Sequence, residues 1–194
     1  MDRNKQILDF LKEVEKFKLV KRQTYLSNLE KESASDHVWH LCIFILMFKE
    51  ELKGIDILKA LKIAMIHDLG EIYSGDIFAF SKNKKGKKEK ERKGVEKILS
   101  NLPKELKDEF YSLYLEYENQ NTEESRLVKA MDKIQPVLQN IVSKGRSWKK
   151  HDITAEDVDN YKIKYIKDNK LFYKIYKNLM KEALDKKLLK KNHN

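Results

Sequence analysis

Between Leu61 and Asp76 the chain reads LKIAMIHDLGEIYSGD, which sets His67, Asp68, Glu71 and Asp76 directly after an apolar run. Each of these groups can bind a metal ion or carry a proton. Charged side chains are rarely buried unless they are paired or coordinate a metal. Acids at the end of a core helix therefore ask for a cation. Neighbouring helical residues point about 100° apart, so His67 and Asp68 converge most readily where a helix frays. Gly70 offers the freedom to leave the helix there. Glu71 follows His67 by one turn and stays beside the same spot, and Gly75 implies a tight turn that returns Asp76.

A lone His-Asp pair proves little, so the reading depends on ligands elsewhere. His37 and His40 stand at the start of a second apolar run, DHVWHLCIFILMFKEEL. A single histidine there would read as a satisfied core residue. Two runs that each carry histidine are harder to dismiss. Asp132, in AMDKIQP, falls beside Met131 on the apolar face of a third segment; it could pair with Lys129 or Lys133, or face a metal. Arg22 is one of only five arginines, and its planar fork suits a phosphate better than lysine does.

The elements that must position these groups are helices. With six glycines and two prolines in 194 residues, and Leu, Ile, Lys and Glu abundant, the expectation is an all-α single domain. A first amphipathic helix runs over 6–17 with apolar positions at Ile7, Leu11 and Val14, joined by Phe10 and Phe17, and is followed by an aperiodic connection through Arg22. Ser33 or Ser35 caps the second helix, whose apolar composition makes it central to the core and which stops at Lys53 and Gly54. Asp56 caps the helix that delivers His67, expected to bury Leu61, Ile63, Ala64, Met65 and Ile66. Helices follow over 89–99, from Pro103, and from Thr122 with a kink at Pro136. Tyr111, Tyr114 and Tyr117 read as core and rim. GRSWKKHD (145–152) reads as a polar connection, after which two helices over about 153–187 close the domain, the first capped by Thr154 with Asp157. His151 and His193 receive no role, and Cys42 is a buried small hydrophobe.

The net charge of +10 raises the question of nucleic acid. Yet lysines are spread through every segment among 31 acids, which a general Lys-rich composition explains. The densest basic stretch, 81–93, reads as a solvated loop leading into a helix, able to steer an anionic substrate. The chain has no apolar run long enough for a membrane helix and no signal-peptide pattern at its start, so a soluble cytoplasmic protein is expected.

The order ESASDHVWH, MIHDLGEIYSGDI and LVKAMDK resembles the H…HD…D signature of the HD-domain superfamily of metal-dependent phosphohydrolases. The patterns SxxDH, HDxxExxxGD, PxELxxEF and VKxxD are closer to its 5'-deoxynucleotidase branch, over residues 5–140. That resemblance implies an HD-type helical bundle, one domain over 1–194, with a metal site at its centre. It implies His37, His67, Asp68 and Asp132 as metal ligands, Glu71 as the acid/base residue, Asp76 as a second active-site carboxylate and Arg22 as the phosphate clamp. It further implies a homodimer and a nucleotide substrate. One departure stands out: Gln23 occupies the place of a Trp that follows the arginine in the bacterial enzymes and senses the sugar, which bears on deoxyribose against ribose.

Two imidazoles and two carboxylates suit Co, Mn, Ni, Fe or Zn, with Mg also admissible. The expected activity is release of inorganic phosphate from nucleoside 5'-monophosphates. An HD-type phosphodiesterase, a nucleoside triphosphate hydrolase, a catalytically silent nucleotide-sensing module and a nucleic-acid-binding protein are the alternatives.

Overall fold

Polar caps set where the helices begin. In the computed structural model, which describes residues 2–81 and 85–192, Ser33 caps α2 (Ala34–Met47) through a reciprocal box in which the Asp36 amide donates to Ser33 Oγ and the Ser33 amide donates to Asp36 Oδ2. Asp56 caps α3 (Ile57–Ile66) by accepting from the Lys59 amide at 2.9 Å. Helix α1 (Arg3–Val14) precedes them, ending in a short 3-10 turn (Glu15–Leu19). Then come α4 (Glu71–Ser74), α5 (Lys87–Leu99), α6 (Lys104–Asn119) and α7 (Glu123–Val142), the last running on through Pro136. Helices α8 (Arg146–Lys150), α9 (Ala155–Ile166) and α10 (Lys170–Asp185) complete the order.

The chain divides into two compact units, and the dividing line falls within α7. The first holds residues up to Arg22 and from Ser33 to Val128. Here α2 packs on α3, α3 on α6, and α5 on α4 and α6, around Leu41, Ile45, Ala60, Ile63, Ala64, Ile98, Leu99 and Tyr114. The second holds residues 23–32 and those from Lys129 onward. In it α9 packs on α10, and Trp148, Val158, Ile166, Phe172 and Tyr176 are buried. Thr154 caps α9 in a box with Asp157, as its sequence implies.

The all-α class holds, with one addition. The stretch expected to be an aperiodic connection forms strands β1 (Lys21–Tyr25) and β2 (Lys31–Ser33), paired as a hairpin whose turn is closed by the Leu26 amide donating to Glu30 O. Helix α2 stops at Met47, well before Lys53 and Gly54, and is not apolar-buried all round: Trp39 and Met47 are exposed. Met65, expected in the core, is also exposed, and Leu61 is half-buried. Cys42 is half-buried rather than buried. GRSWKKHD is no plain connection, since it contains α8 with Ser147 and Trp148 buried. His151 is half-buried. His193 and residues 82–84 of the basic stretch lie outside the described residues. No helix among the described residues is long and apolar enough to cross a membrane.

Candidate metal centre

The first unit brings six of the seven expected residues together. The Ser33 cap starts α2 so that His37 lies in its first turns, fully buried. Helix α3 ends with His67 as its C-cap, and its ring is edge-on to that of His37 at a centroid distance of 5.8 Å. His67 Nδ1 lies 2.8 Å from the Ala64 carbonyl. A carbonyl only accepts, so Nδ1 carries a proton, and in the neutral ring Nε2 presents its lone pair. That lone pair faces Asp68 Oδ2 at 3.1 Å. Tyr117 packs against the same imidazole, with 4.7 Å between ring centroids.

Two acceptors facing one another across 3.1 Å is an arrangement that a cation resolves. Arg22 supplies part of the charge, its Nη1 lying 3.4 Å from the same Asp68 oxygen. A second observation points the same way. Glu71 is 3% exposed, and its Oε2 has no hydrogen-bond partner among the described residues. Native structures leave few such groups, and each calls for a ligand or an ion. The donors therefore fit a divalent metal in a correctly tautomeric His67, the neighbouring His37 and the Asp68 carboxylate, with the Glu71 acid one turn beyond them.

The electrostatics follow from this crowding. Burial pushes the Glu71 carboxyl well above the usual carboxylate range, and the charges of Asp68 and Asp76 add to it. Burial also raises Asp76, with Arg22 pulling it back down and Asp68 raising it again. Gly75, at φ 70°, makes the tight turn that returns Asp76. Gly70 plays a different part from the one its sequence suggests. Its φ of −60° is ordinary helical backbone, and what it provides is close approach, because a Cβ there would collide with the Glu91 carbonyl of α5.

Asp132 belongs to the second unit. It is buried on α7, and its Oδ2 lies 2.8 Å from Lys133 Nζ. Of the residues that sequence reasoning passed over, Tyr117 was read only as core, and Lys87 and Glu91 were hidden in a run of lysines.

A family model for the HD domain matches residues 14–174. The chain belongs to the HD domain family. This HD domain protein is 33% identical over 136 residues to the 5'-deoxynucleotidase HDDC2 of Mus musculus, a match covering 69% of this chain and 67% of that one. It is 34% identical over 138 residues to the protein of the same name in Xenopus laevis, covering 70% and 68%. Among solved structures it resembles a predicted metal-dependent phosphohydrolase from Magnetospirillum magnetotacticum MS-1. There the TM-score is 0.90 at 29% identity, covering 97% of this chain and 96% of the other.

Proposed function

We propose that this HD domain protein is a metal-dependent phosphomonoester hydrolase that releases inorganic phosphate from nucleoside 5'-monophosphates. The observation that carries the reading is the cluster of His37, His67 and Asp68 with Arg22 on the Asp68 carboxylate. Its relatives in mouse and frog bear the name of that activity.

In this reading His37, His67, Asp68 and Asp132 hold a divalent ion, and the mixed nitrogen and oxygen donors favour Co, Mn, Ni, Fe or Zn over Mg. Asp132 joins the set on its burial and on the VKxxD sequence around it. When bound, the ion supplies Lewis-acid polarisation and neutralises charge on the phosphoryl group. The chain's own residues do the rest. Arg22 offers two parallel donors to the phosphate oxygens, exchanging its 3.4 Å contact with Asp68 for them. The oxygen of an attacking water forms the new bond to phosphorus while the bond to the 5' oxygen breaks. Glu71, raised by burial and by its acidic neighbours, holds the proton that passes from that water to the departing oxygen. Asp76 supplies a second carboxylate beside it.

Gln23, where the resemblance implies an aromatic residue after Arg22, accepts a hydrogen bond from Lys31 Nζ at 2.7 Å, and the ratio of deoxy- to ribonucleotide turnover measures what that exchange does to sugar selection. We take residues 1–194 as one HD domain, a reading supported by a single family model that spans residues of both units. A homodimer is supported by the exposed apolar side chains Trp39, Met47, Leu58 and Met65 on α2 and α3; a monomer by light scattering removes it. Cytoplasmic residence is expected with a nucleotide substrate, and cell fractionation checks it.

A substrate panel tests the activity. Phosphate released from 5'-monophosphates, with di- and triphosphates and phosphodiesters inert, supports it. Preference for triphosphates or diesters moves the protein to those reactions, and nucleotide binding without turnover makes it a sensor.

A further inference from the structure

We propose that Lys87 is a positioning residue of the active site, locked by Glu91 and tying down the backbone that follows Asp76. The inference rests on the phosphohydrolase reading above for its kinetic arm only.

Lys87 opens α5 from within the basic stretch, yet it differs from its neighbours. Lys85, Lys88 and Lys90 are exposed, whereas the Lys87 side chain retains only 28% of its exposure. Its ammonium lies 3.2 Å from Glu91 Oε1, one turn along the same helix, and donates to the carbonyl of Ile77 at 3.4 Å. Ile77 is the residue after Asp76. The lysine therefore joins α5 to the chain that carries the second active-site carboxylate.

The anchor at the other end is rigid. A Cβ at Gly70 would strike the Glu91 carbonyl, and one at Gly94 would strike the Gly70 carbonyl, so the α5 backbone lies flush against the turn that begins α4 with Glu71. Glu91 is itself largely covered, at 19% exposure, and cannot swing away without uncovering Lys87. Beyond Ile77 the chain turns again, with the Ser81 amide donating to Phe78 O at 2.9 Å.

The charge of Lys87 also has a purpose in this place. Burial pulls its pKa down, and Glu91, Glu71 and Asp68 more than reverse the effect, so the ammonium stays charged. It is a fixed cation facing the acidic side of the site. A solvated lysine on a helix face could keep an i,i+4 acid such as Glu91, but not the Ile77 carbonyl.

The experiment compares Lys87→Gln and Lys87→Arg with wild type in nucleotide kinetics and in amide hydrogen exchange. Misplacement of a reacting group by about 1 Å costs up to ~100-fold. In Lys87→Gln, kcat is expected to fall roughly 10- to 100-fold with KM within about 3-fold, and Lys87→Arg is expected to recover most of the loss. Amides of residues 77–81 should exchange faster in Lys87→Gln, while those of α2 and α3 stay as in wild type. A kcat within about 2-fold of wild type, or a change in KM alone, overturns the proposal. So does unchanged exchange over 77–81. If wild type releases no phosphate from any nucleotide, the functional reading fails, and the exchange comparison still decides whether Lys87 ties down this backbone.

Discussion

His67 Nε2 lies 3.1 Å from Asp68 Oδ2, although the two residues are adjacent in the chain. Regular helix would point them about 100° apart. They meet because α3 ends at His67, and because the Ala64 carbonyl accepts a hydrogen bond from His67 Nδ1 and so turns the other nitrogen inward. Like acceptors at this distance repel unless a proton or a cation stands with them. The pair is thus the most direct physical reason for a metal here.

Asp68→Ala removes one side of that pair. The variant is expected to lose bound metal and phosphatase activity together while keeping its helical circular dichroism, since Asp68 caps no helix. Elemental analysis beside the activity assay checks it. Full metal occupancy in the variant would show that Asp68 is not a ligand.

Glu71 is separable from metal binding in this account. Glu71→Ala should retain its metal and turn over at least ~100-fold more slowly, the usual scale for a general acid/base residue. Near-normal turnover takes Glu71 out of the mechanism, and loss of metal makes it a ligand instead.

Arg22 is expected to act on binding. A charge-assisted hydrogen bond contributes about 1.5–3 kcal/mol, so Arg22→Ala should weaken nucleotide affinity by roughly 10- to 100-fold. Arg22→Lys should fall between, because an ammonium cannot bind two oxygens in parallel. Competition by inorganic phosphate reads the effect directly, and an unchanged phosphate affinity in Arg22→Ala contradicts the clamp.

Gly94 carries a structural prediction. With no room for a Cβ between α5 and the Gly70 carbonyl, Gly94→Ala must push the helix off the turn that holds Glu71. The expected cost is about 1–3 kcal/mol, seen as a lower denaturation midpoint. Gly54→Ala, where the added Cβ meets nothing within 4 Å but the backbone has φ +84°, separates backbone strain from collision. Equal midpoints for Gly94→Ala and wild type would show that α5 can shift freely.

Much of this was legible beforehand because it is local chemistry. Ser33, Asp56 and Thr154 announce helix starts through side chains that bond amides a few residues away, and the structure uses all three. The spacing from His67 to Asp76 likewise needs no distant partner to be read. What stayed hidden is non-local. The strands at 21–25 and 31–33 exist through pairing with one another, and KES is too short to show a period. Trp39, Met47 and Met65 are apolar yet exposed, since composition says that a helix is apolar without saying which face goes uncovered. Gly70 reads as a helix breaker in isolation, and only the approach of α5 reveals its use. Lys87 is one lysine in a run until its contacts with Glu91 and Ile77 are known.

The central claim is tested most directly by phosphate release from deoxy- and ribonucleoside 5'-monophosphates after metal removal. Co, Mn, Mg or nothing is then restored, with Asp68→Ala run in parallel. Release is expected to depend on added metal, to be strongest with a transition metal, and to be absent in Asp68→Ala. Release undiminished by metal removal, or equal in Asp68→Ala, would contradict it.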